Sequence, residues 1–423
     1  MFSHPLFRAL KNFRGNARAC VYTEPMWGIP YNLYAPYISV YMLAFGLKDS
    51  QIGLITTIGL FFQIFAALMS GIITDKMGRK RATLVWDILA WSVPTLIWAV
   101  AQNFTYFLIA AIINSLWRIT SNSWTCLMVE DTDEKQLVDI YSWVYISGLL
   151  AAFFAPLAGL LVQSYSLIPT MRGLYLFAFV MMTAKFIILN AFVKETRQGE
   201  IRMRETQGQS VFTLLKEYRS VIGQVFKTPR TLFTLGIMLV MGASQLINGT
   251  FWSILVTTKL HIPEEHLSIF AFGRSAIMLV FFFVAMPVIR EMRFRNPMLV
   301  GFAGFALAQI ILITIPERSY LLLLLSTFLE ACSIATLGTQ ADRMVIVTVD
   351  PHERARIQGL LYMAVIVFTS PFGWIAGLLS EMNRNLPFLL NIGLFVIGAV
   401  LVYLASNVKT REESVSEQLP AAS

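Results

Sequence analysis

Apolar residues in this chain come in long unbroken runs, with short polar interruptions between them. Twelve runs stand out, at 21–46, 51–73, 82–101, 104–129, 137–163, 172–193, 231–258, 266–289, 297–316, 319–345, 357–381 and 386–406. Each is long enough to cross a bilayer core, which takes about 20 apolar residues in a helix. The one long polar interruption is 194–230, with six runs before it and six after. The pattern predicts an all-α membrane protein of twelve transmembrane helices in two pseudo-symmetric six-helix bundles. Residues 1–193 form the first bundle, 194–230 a linker, 231–406 the second bundle and 407–423 a tail. Within the linker, Val211, Leu214, Leu215, Tyr218, Val221, Ile222 and Val225 recur at helical spacing. That spacing predicts a short helix lying on the membrane surface.

Composition agrees: 56% of residues are hydrophobic and 14% are charged, against about 25% charged in an average soluble domain. The net charge of +8 would suit a nucleic-acid partner, but the placement of the charges argues against one. Of the 33 Lys and Arg, 25 fall in the termini and loops of one side, five in the loops of the other, and three inside runs. Basic loops stay on the cytoplasmic side, so both termini are expected in the cytoplasm and the basic balance reports topology. Cys20, Cys126 and Cys332 lie in or beside runs, too far apart for a metal motif. No short apolar stretch followed by a cleavage site precedes the first run, which is expected to act as an uncleaved signal. Two readings of residues 1–18 stay open, a basic segment on the membrane surface and a solvated tail.

The halves read as repeats. "LKDSQIG" (47–53) corresponds in position to "IPEEHLS" (262–268), and "GIITDKMGRKR" (71–81) to "MPVIREMRFRN" (286–296). "DTDEKQLVD" (131–139) lies over "DPHERARIQ" (350–358), and "APLAGLL" (155–161) over "FGWIAGLL" (372–379), one residue out of step. Parallel repeats of six helices are a transporter architecture. The stretch 71–81 resembles the signature loop between the second and third helices of the major facilitator superfamily, Gly-x-x-x-Asp-(Arg/Lys)-x-Gly-Arg-(Arg/Lys). Gly71, Asp75, Lys76, Gly78, Arg79 and Lys80 fill every position. The resemblance covers the whole chain in topology and says nothing of the cargo.

The resemblance implies that such residues latch the two halves on the cytoplasmic side when the binding site faces outward. Gly71 lets a neighbouring helix come close, Gly78 permits a tight turn, and Arg79 offers a planar fork suited to carboxylates. Glu130 matches the acid that the family places opposite this arginine. The expected cytoplasmic gate is therefore Gly71, Asp75, Gly78, Arg79 and Glu130, with Lys76, Lys80 and Arg81 setting sidedness. The second-half copy has Arg290 in the place of Asp75 and no glycines, so the latch is expected in one half only.

A charge at a helix centre costs about 2.5–3.5 kcal/mol on insertion scales, and such residues face a cavity or a partner. The candidates are Glu24, Asp87, Arg118, Lys185, Arg274 and Glu330. Arg118 lies about 21 Å into the fourth run and Glu330 about 17 Å into the tenth, at 1.5 Å per residue. By family resemblance, helices 1, 4, 7 and 10 line the central cavity. Asn114, Trp117, Arg118, Ser121, Asn122 and Thr125 form one stripe of the fourth helix. Glu330, Ser333, Thr336 and Gln340 form its counterpart on the tenth. Gln245, Asn248 and Trp252 on the seventh, and Tyr31, Asn32 and Tyr34 on the first, complete the set. Tyr31, Asn32, Asn114, Trp117, Asn122, Gln245, Asn248 and Trp252 are the candidate substrate contacts.

Arg118 also resembles the fourth-helix arginine that many superfamily members use near the proton site, although Ser121 and Asn122 replace the usual Gln-Gly. Glu330, tuned by Arg118 or Arg274, is the candidate proton-coupling carboxylate. A permanent buried salt bridge is the alternative. Asp87 and Lys185, about 8 and 12 Å from the cytoplasmic ends of their helices by the same rise, are expected to form a structural ion pair. Glu24 reads either as a gate acid or as an interfacial residue. All four histidines, His4, His261, His266 and His352, fall in tails or loops, which excludes a histidine relay within the membrane. Trp27, Trp117, Trp124 and Trp252 suit sugar rings, apolar drugs or packing equally. "APLAGLL", with Pro156, faintly resembles the Gly-Pro-x-x-Gly-Gly signature of drug antiporters, two glycines being replaced by Ala155 and Ala158.

No phosphate-binding glycine loop, metal cluster or nucleophile motif is present, so an enzyme is not expected, nor a cofactor. The function expected is secondary active transport, most simply proton-coupled symport of a sugar or similar polar molecule. The alternative is a drug/proton efflux antiporter, and a third reading is a solute sensor without turnover. The expected partners are a small-molecule substrate, protons and the lipid bilayer, with no nucleic acid, in a monomeric multi-pass protein of the plasma membrane.

Overall fold

The computed structural model describes residues 10–209, 229–285, 288–289, 292, 294–348 and 354–407. The expected linker helix at 211–225, the tail beyond 407 and most of the second-half copy at 286–296 lie outside the described residues. Among the described residues the chain is helical and without strands. Among the same described residues, eleven helices are long and apolar enough to cross a membrane.

The first predicted run is the exception, a helical path broken into pieces. α1 (Gly15–Thr23) leads into α2 (Pro25–Tyr34), a 3-10 turn (Ala35–Tyr37) and α3 (Ile38–Ala44). Proline explains both breaks: Pro25 opens α2 and Pro36 sits in the turn, each lacking the N–H that would continue the ladder. The helix also starts earlier than the run. Phe13, Ala17 and Cys20 are buried against Leu127, Met128, Ile140 and Leu189, so one face of residues 13–20 packs on the first bundle while Arg14 and Arg18 stay exposed.

α4 (Asp49–Met77) and α5 (Arg79–Asp87) are separated by Gly78 alone. Its φ of 80° is open to glycine and strained for other residues, so a charged stretch that reads as a loop is helix on both sides. α5 continues through a π-helical turn (Ile88–Ser92) into α6 (Val93–Ala99), with Pro94 at its start. The fourth run divides into α7 (Phe104–Asn114) and α8 (Trp117–Val129). Asn103 caps α7 by accepting from the Thr105 N–H. Around the break, i→i+3 bonds run from Leu116 to Ile113, Arg118 to Ser115 and Ile119 to Leu116. The fifth run is α9 (Glu134–Ala151), a 3-10 turn (Ala152–Phe154) and α10 (Ala155–Tyr165); the sixth is α11 (Leu167–Phe192). A short helix, α12 (Arg197–Glu205), begins the linker.

The second half comprises α13 (Pro229–Thr258), α14 (Leu267–Val284), α15 (Arg295–Thr314), α16 (Tyr320–Thr348), α17 (Arg354–Met382) and α18 (Leu386–Asn407). One apolar cluster draws on both halves, joining Tyr34, Tyr41, Phe107 and Tyr175 to Phe251, Trp252, Leu312 and Phe388. Large apolar side chains such as Phe61, Phe65, Val180, Phe192, Leu321 and Val400 stay exposed along the spans, as a lipid-facing surface requires.

The halves meet tightly at the end remote from the basic loops. There α4 crosses α17 with backbones nearly touching. A Cβ on Gly377 would lie 2.6 Å from the Asp49 carbonyl oxygen, and one on Gly53 would collide with that of Gly373. Gly373 and Gly377 are spaced as a small-xxx-small pair, the pattern that permits close helix crossings. Thr57 uses the proximity twice: its hydroxyl donates to the Ser370 carbonyl (2.7 Å) and accepts from the Trp374 N–H (2.8 Å). Gly159 of α10 makes a similar approach, with a Cβ there lying 2.5 Å from Ser268 Oγ.

Candidate transport site and gate

Among the described residues, Arg118, Lys185 and Arg274 lie away from the ends of the spans, and the structure treats them differently. In the second half, Arg274 of α14 reaches Glu330 of α16, with Nη2 3.2 Å from Oε1. The Glu330 side chain is 1% exposed and that of Arg274 is 30% exposed. Neither carboxylate oxygen makes a hydrogen bond, nor does Arg274 Nε, so charge and not hydrogen-bond geometry holds the pair. The Arg274 guanidinium also sits 5.5 Å from the Trp252 ring centre, and Trp252 packs edge-on against Phe270.

In the first half, Arg118 lies one residue into α8, just past the break at Ser115–Leu116. Its guanidinium stacks over the neighbouring Trp117 ring at 4.3 Å. It comes within electrostatic reach of Tyr362 of α17, so it faces the second half. Of the two arginines expected beside Glu330, the structure brings Arg274 to it.

Lys185 takes Glu24 as its partner, Nζ to Oε2 2.8 Å, in place of the expected Asp87. The broken first helix turns Glu24 inward toward α11, where a short carboxylate can reach the ammonium. Asp87 is buried nearby, within electrostatic reach of Lys185 and beside the Thr120 hydroxyl. The rings of Trp27, Trp124 and Phe186 lie 6.0, 5.6 and 5.8 Å from the Lys185 ammonium. Trp27 and Trp124 thus surround a buried ion pair.

Several candidate contact residues are engaged between helices. Asn114 Nδ2 donates to the Ala90 carbonyl (2.8 Å), satisfying an oxygen in the π-turn. Asn122 Nδ2 donates to Thr74 Oγ1 (3.2 Å). Asn248 Oδ1 accepts from Asn391 Nδ2 (3.2 Å), and Asn32 Nδ2 bonds the Gly28 carbonyl of its own helix (2.8 Å). Tyr31 stacks on Trp27 with centroids 4.8 Å apart. Gln245 is exposed. Trp117 and Trp252 each lie under an arginine.

At the basic end, Arg79 is 5% exposed and bonds two acids. Its Nε and Nη2 donate to the Glu130 carboxylate (2.9 Å each) and its Nη1 to Asp75 Oδ1 (3.1 Å), a fork geometry special to arginine. The linker closes the network. Arg202 of α12 donates twice to Asp75 Oδ2 (3.2 and 2.9 Å), which holds its guanidinium above its ordinary pKa. Glu195 accepts from the Arg79 and Lys80 N–H groups (2.8 and 3.0 Å), and the Thr196 hydroxyl donates to Glu130. The tight turn is needed here: a Cβ on Gly78 would meet Glu195 Oε2 at 2.5 Å. Gly71 lies mid-surface on α4. The network joins α4, α5 and α8 to the linker, so its members all belong to the first 205 residues.

Glu195, Thr196 and Arg202 were not singled out from the sequence, where they read as ordinary linker charge. Also unanticipated is a polar cluster at the opposite end, where Asp49 of α4 pairs with Arg384 and accepts from the Ser380 hydroxyl. Asp49 is 3% exposed. Gly373 and Gly377, four apart in "FGWIAGLL", were the available signal for that crossing.

Two helical halves, an acid–arginine network at one end and buried charges at mid-span define a membrane transporter of the major facilitator fold. The sequence profile of the MFS_1 like family matches residues 32–390, and the chain belongs to that family. An uncharacterized MFS-type transporter of Bacillus subtilis (strain 168), YqjV, is 28% identical over 127 residues, which span 30% of this chain and 31% of that protein. The nucleoside transporter NupG superposes with a TM-score of 0.72 at 17% identity, covering 94% of this chain and all of that one. A POT family transporter in complex with a thioalcohol-conjugated peptide gives 0.69 at 12% identity, covering 92% and 94% of the two chains. A bacterial homologue of the iron transporter ferroportin in its inward-facing state also gives 0.69 at 12% identity, covering 93% and 98%.

Proposed function

We propose that this protein is a proton-coupled symporter of a small polar solute, sugar-sized, working by alternating access. The observation that carries the reading is Glu330, a carboxylate 1% exposed at mid-span whose ion-pair partner Arg274 is itself 30% exposed. A buried carboxylate is tolerated when paired with a cation or neutralised by a proton. An arginine with one edge in an open space can leave it for a solute, and the carboxyl then takes a proton. Two occupancies of one pair thereby couple proton to solute.

The clustered basic loops support a cytoplasmic position for both termini and a twelve-span path in which the broken α1–α3 segment is the first crossing. The site in this conformation is closed toward the exterior by the α4–α17 crossing. The Asp75–Arg79–Glu130 network, with Gly71 and Gly78, is the cytoplasmic gate and binds the linker to the first half. Asp87, Glu24 and Lys185 hold α1, α5 and α11 together. The protein acts as a monomer in the plasma membrane.

A thermal-shift screen of sugars, organic acids and drugs against purified protein finds a bound solute, because ligands of the folded state raise its stability. In proteoliposomes, Glu330→Gln is expected to abolish accumulation driven by a pH gradient while solute exchange at equal concentrations continues. Undiminished gradient-driven accumulation by the variant would count against proton coupling at this residue.

A further inference from the structure

The three cations away from the span ends differ in one respect. Lys185 has Glu24 and Arg274 has Glu330. Arg118 forms no ion pair with an acid among the described residues, and its buried Nε has no acceptor. Arg172 and Arg295 also carry an unbonded Nε, but both sit near helix ends, where water and headgroups can reach them. Arg118 is the fifteenth residue of a 26-residue span.

We infer that Arg118 is an anion-binding residue and that the transported solute carries a carboxylate. Three features point the same way. A guanidinium at mid-span calls for a counter-charge, and no acid among the described residues supplies it. Trp117 covers one face of the guanidinium at 4.3 Å, and the Nε is buried without an acceptor, which a two-pronged carboxylate would supply. The residue lies within electrostatic reach of Tyr362 of α17, a helix of the other half.

This inference rests on the transport reading above and narrows its solute to an organic monoanion, such as a sugar acid or hydroxy acid. It also has a consequence for the coupling. One monoanion moving with the one proton taken by Glu330 carries no net charge, so uptake follows the pH gradient and ignores the membrane potential.

The test uses the purified full-length chain and four monocarboxylates, acetate, lactate, benzoate and glucuronate, each beside its amide or neutral parent. Glucose 6-phosphate is the arm for a phosphoryl group. Tryptophan fluorescence, to which Trp117 and eight other tryptophans contribute, reads binding. Saturable binding of at least one carboxylate over its neutral counterpart is expected, weakened about ten- to hundredfold in Arg118→Gln and less in Arg118→Lys. Arginine labelling of the wild-type protein by phenylglyoxal needs no variant: the bound carboxylate should protect Arg118, read from peptide masses.

Equal response to charged and neutral partners, no response to any carboxylate, or no protection of Arg118 overturns the inference. Response to glucose 6-phosphate alone overturns the carboxylate assignment. Unchanged affinity in Arg118→Gln overturns the role of the residue. The two proposals fail separately. Glu330→Gln that still binds the carboxylate and still accumulates it sinks proton coupling and leaves anion binding. Loss of proton-driven uptake in Glu330→Gln with no Arg118 dependence does the reverse.

Discussion

Arg118 and Arg274 are the same residue type, each stacked on a tryptophan and each inside a span, one per half of a pseudo-symmetric molecule. They differ in their surroundings. Arg274 has an acid in its own bundle, whereas Arg118 looks across to the other half and has none among the described residues. An arginine paired within its bundle contributes to that bundle's stability. An unpaired one burdens the ligand-free state and is relieved by an incoming anion. The contrast teaches that buried charge alone does not mark a binding site; the missing partner does.

The comparison can be broken most directly at the paired side. Arg274→Gln leaves Glu330 buried without a cation, and a loss of about 2 kcal/mol is expected, below the range for a fully buried pair because Arg274 is 30% exposed. Thermal melts in detergent read this loss, and the double variant Arg274→Gln/Glu330→Gln should recover most of it. A double variant as unstable as the single would mean that packing on Trp252, not charge, is what Arg274 supplies.

The unpaired side should behave in the opposite sense. Arg118→Gln removes a mid-span cation that has no counter-charge among the described residues, so the ligand-free protein should melt no lower than wild type, and up to about 1 kcal/mol higher. A clear drop in melting temperature would reveal a partner and erase the difference between the halves.

The smallest expected effect sharpens the contrast. Asn122→Asp puts a carboxylate four residues beyond Arg118, on the same helix face. A stability gain of about 0.3–0.5 kcal/mol is expected, as for other i,i+4 pairs. Phenylglyoxal protection of Arg118 by carboxylates should disappear in that variant, because the site then carries its own anion. Protection that persists would place the solute elsewhere.

A second comparison, between the two ends of the molecule, shows what could be read in advance. The motif at 71–81 was legible because its spacing is short: Asp75 and Arg79 are four residues apart, one helical turn, and meet whatever the rest of the fold does. Glu130 was expected from family resemblance, and the structure sets it against Arg79. The Asp49–Arg384 pair at the other end joins residues 335 positions apart. Their meeting depends on how α4 crosses α17, which no local pattern states. Lys185 illustrates the same limit inside one half. Sequence depth favoured Asp87, but the kinks at Pro25 and Pro36 bring Glu24 to the ammonium. Asn114 was expected in the cavity stripe, and its amide N–H serves the Ala90 carbonyl in a π-turn, a backbone irregularity without a clear sequence signal.

The sequence by itself determined what each segment must do with water. Twelve apolar runs, the basic loops and the short spacing of the gate motif follow from hydropathy, charge and helical period, all properties of neighbours along the chain. The tertiary structure alone decided which charges are paired. Pairing depends on helix rotation, depth and crossing distance, and small shifts in each choose among several acids. By that choice Lys185 and Arg274 received partners within the protein, and Arg118 was left without one among the described residues.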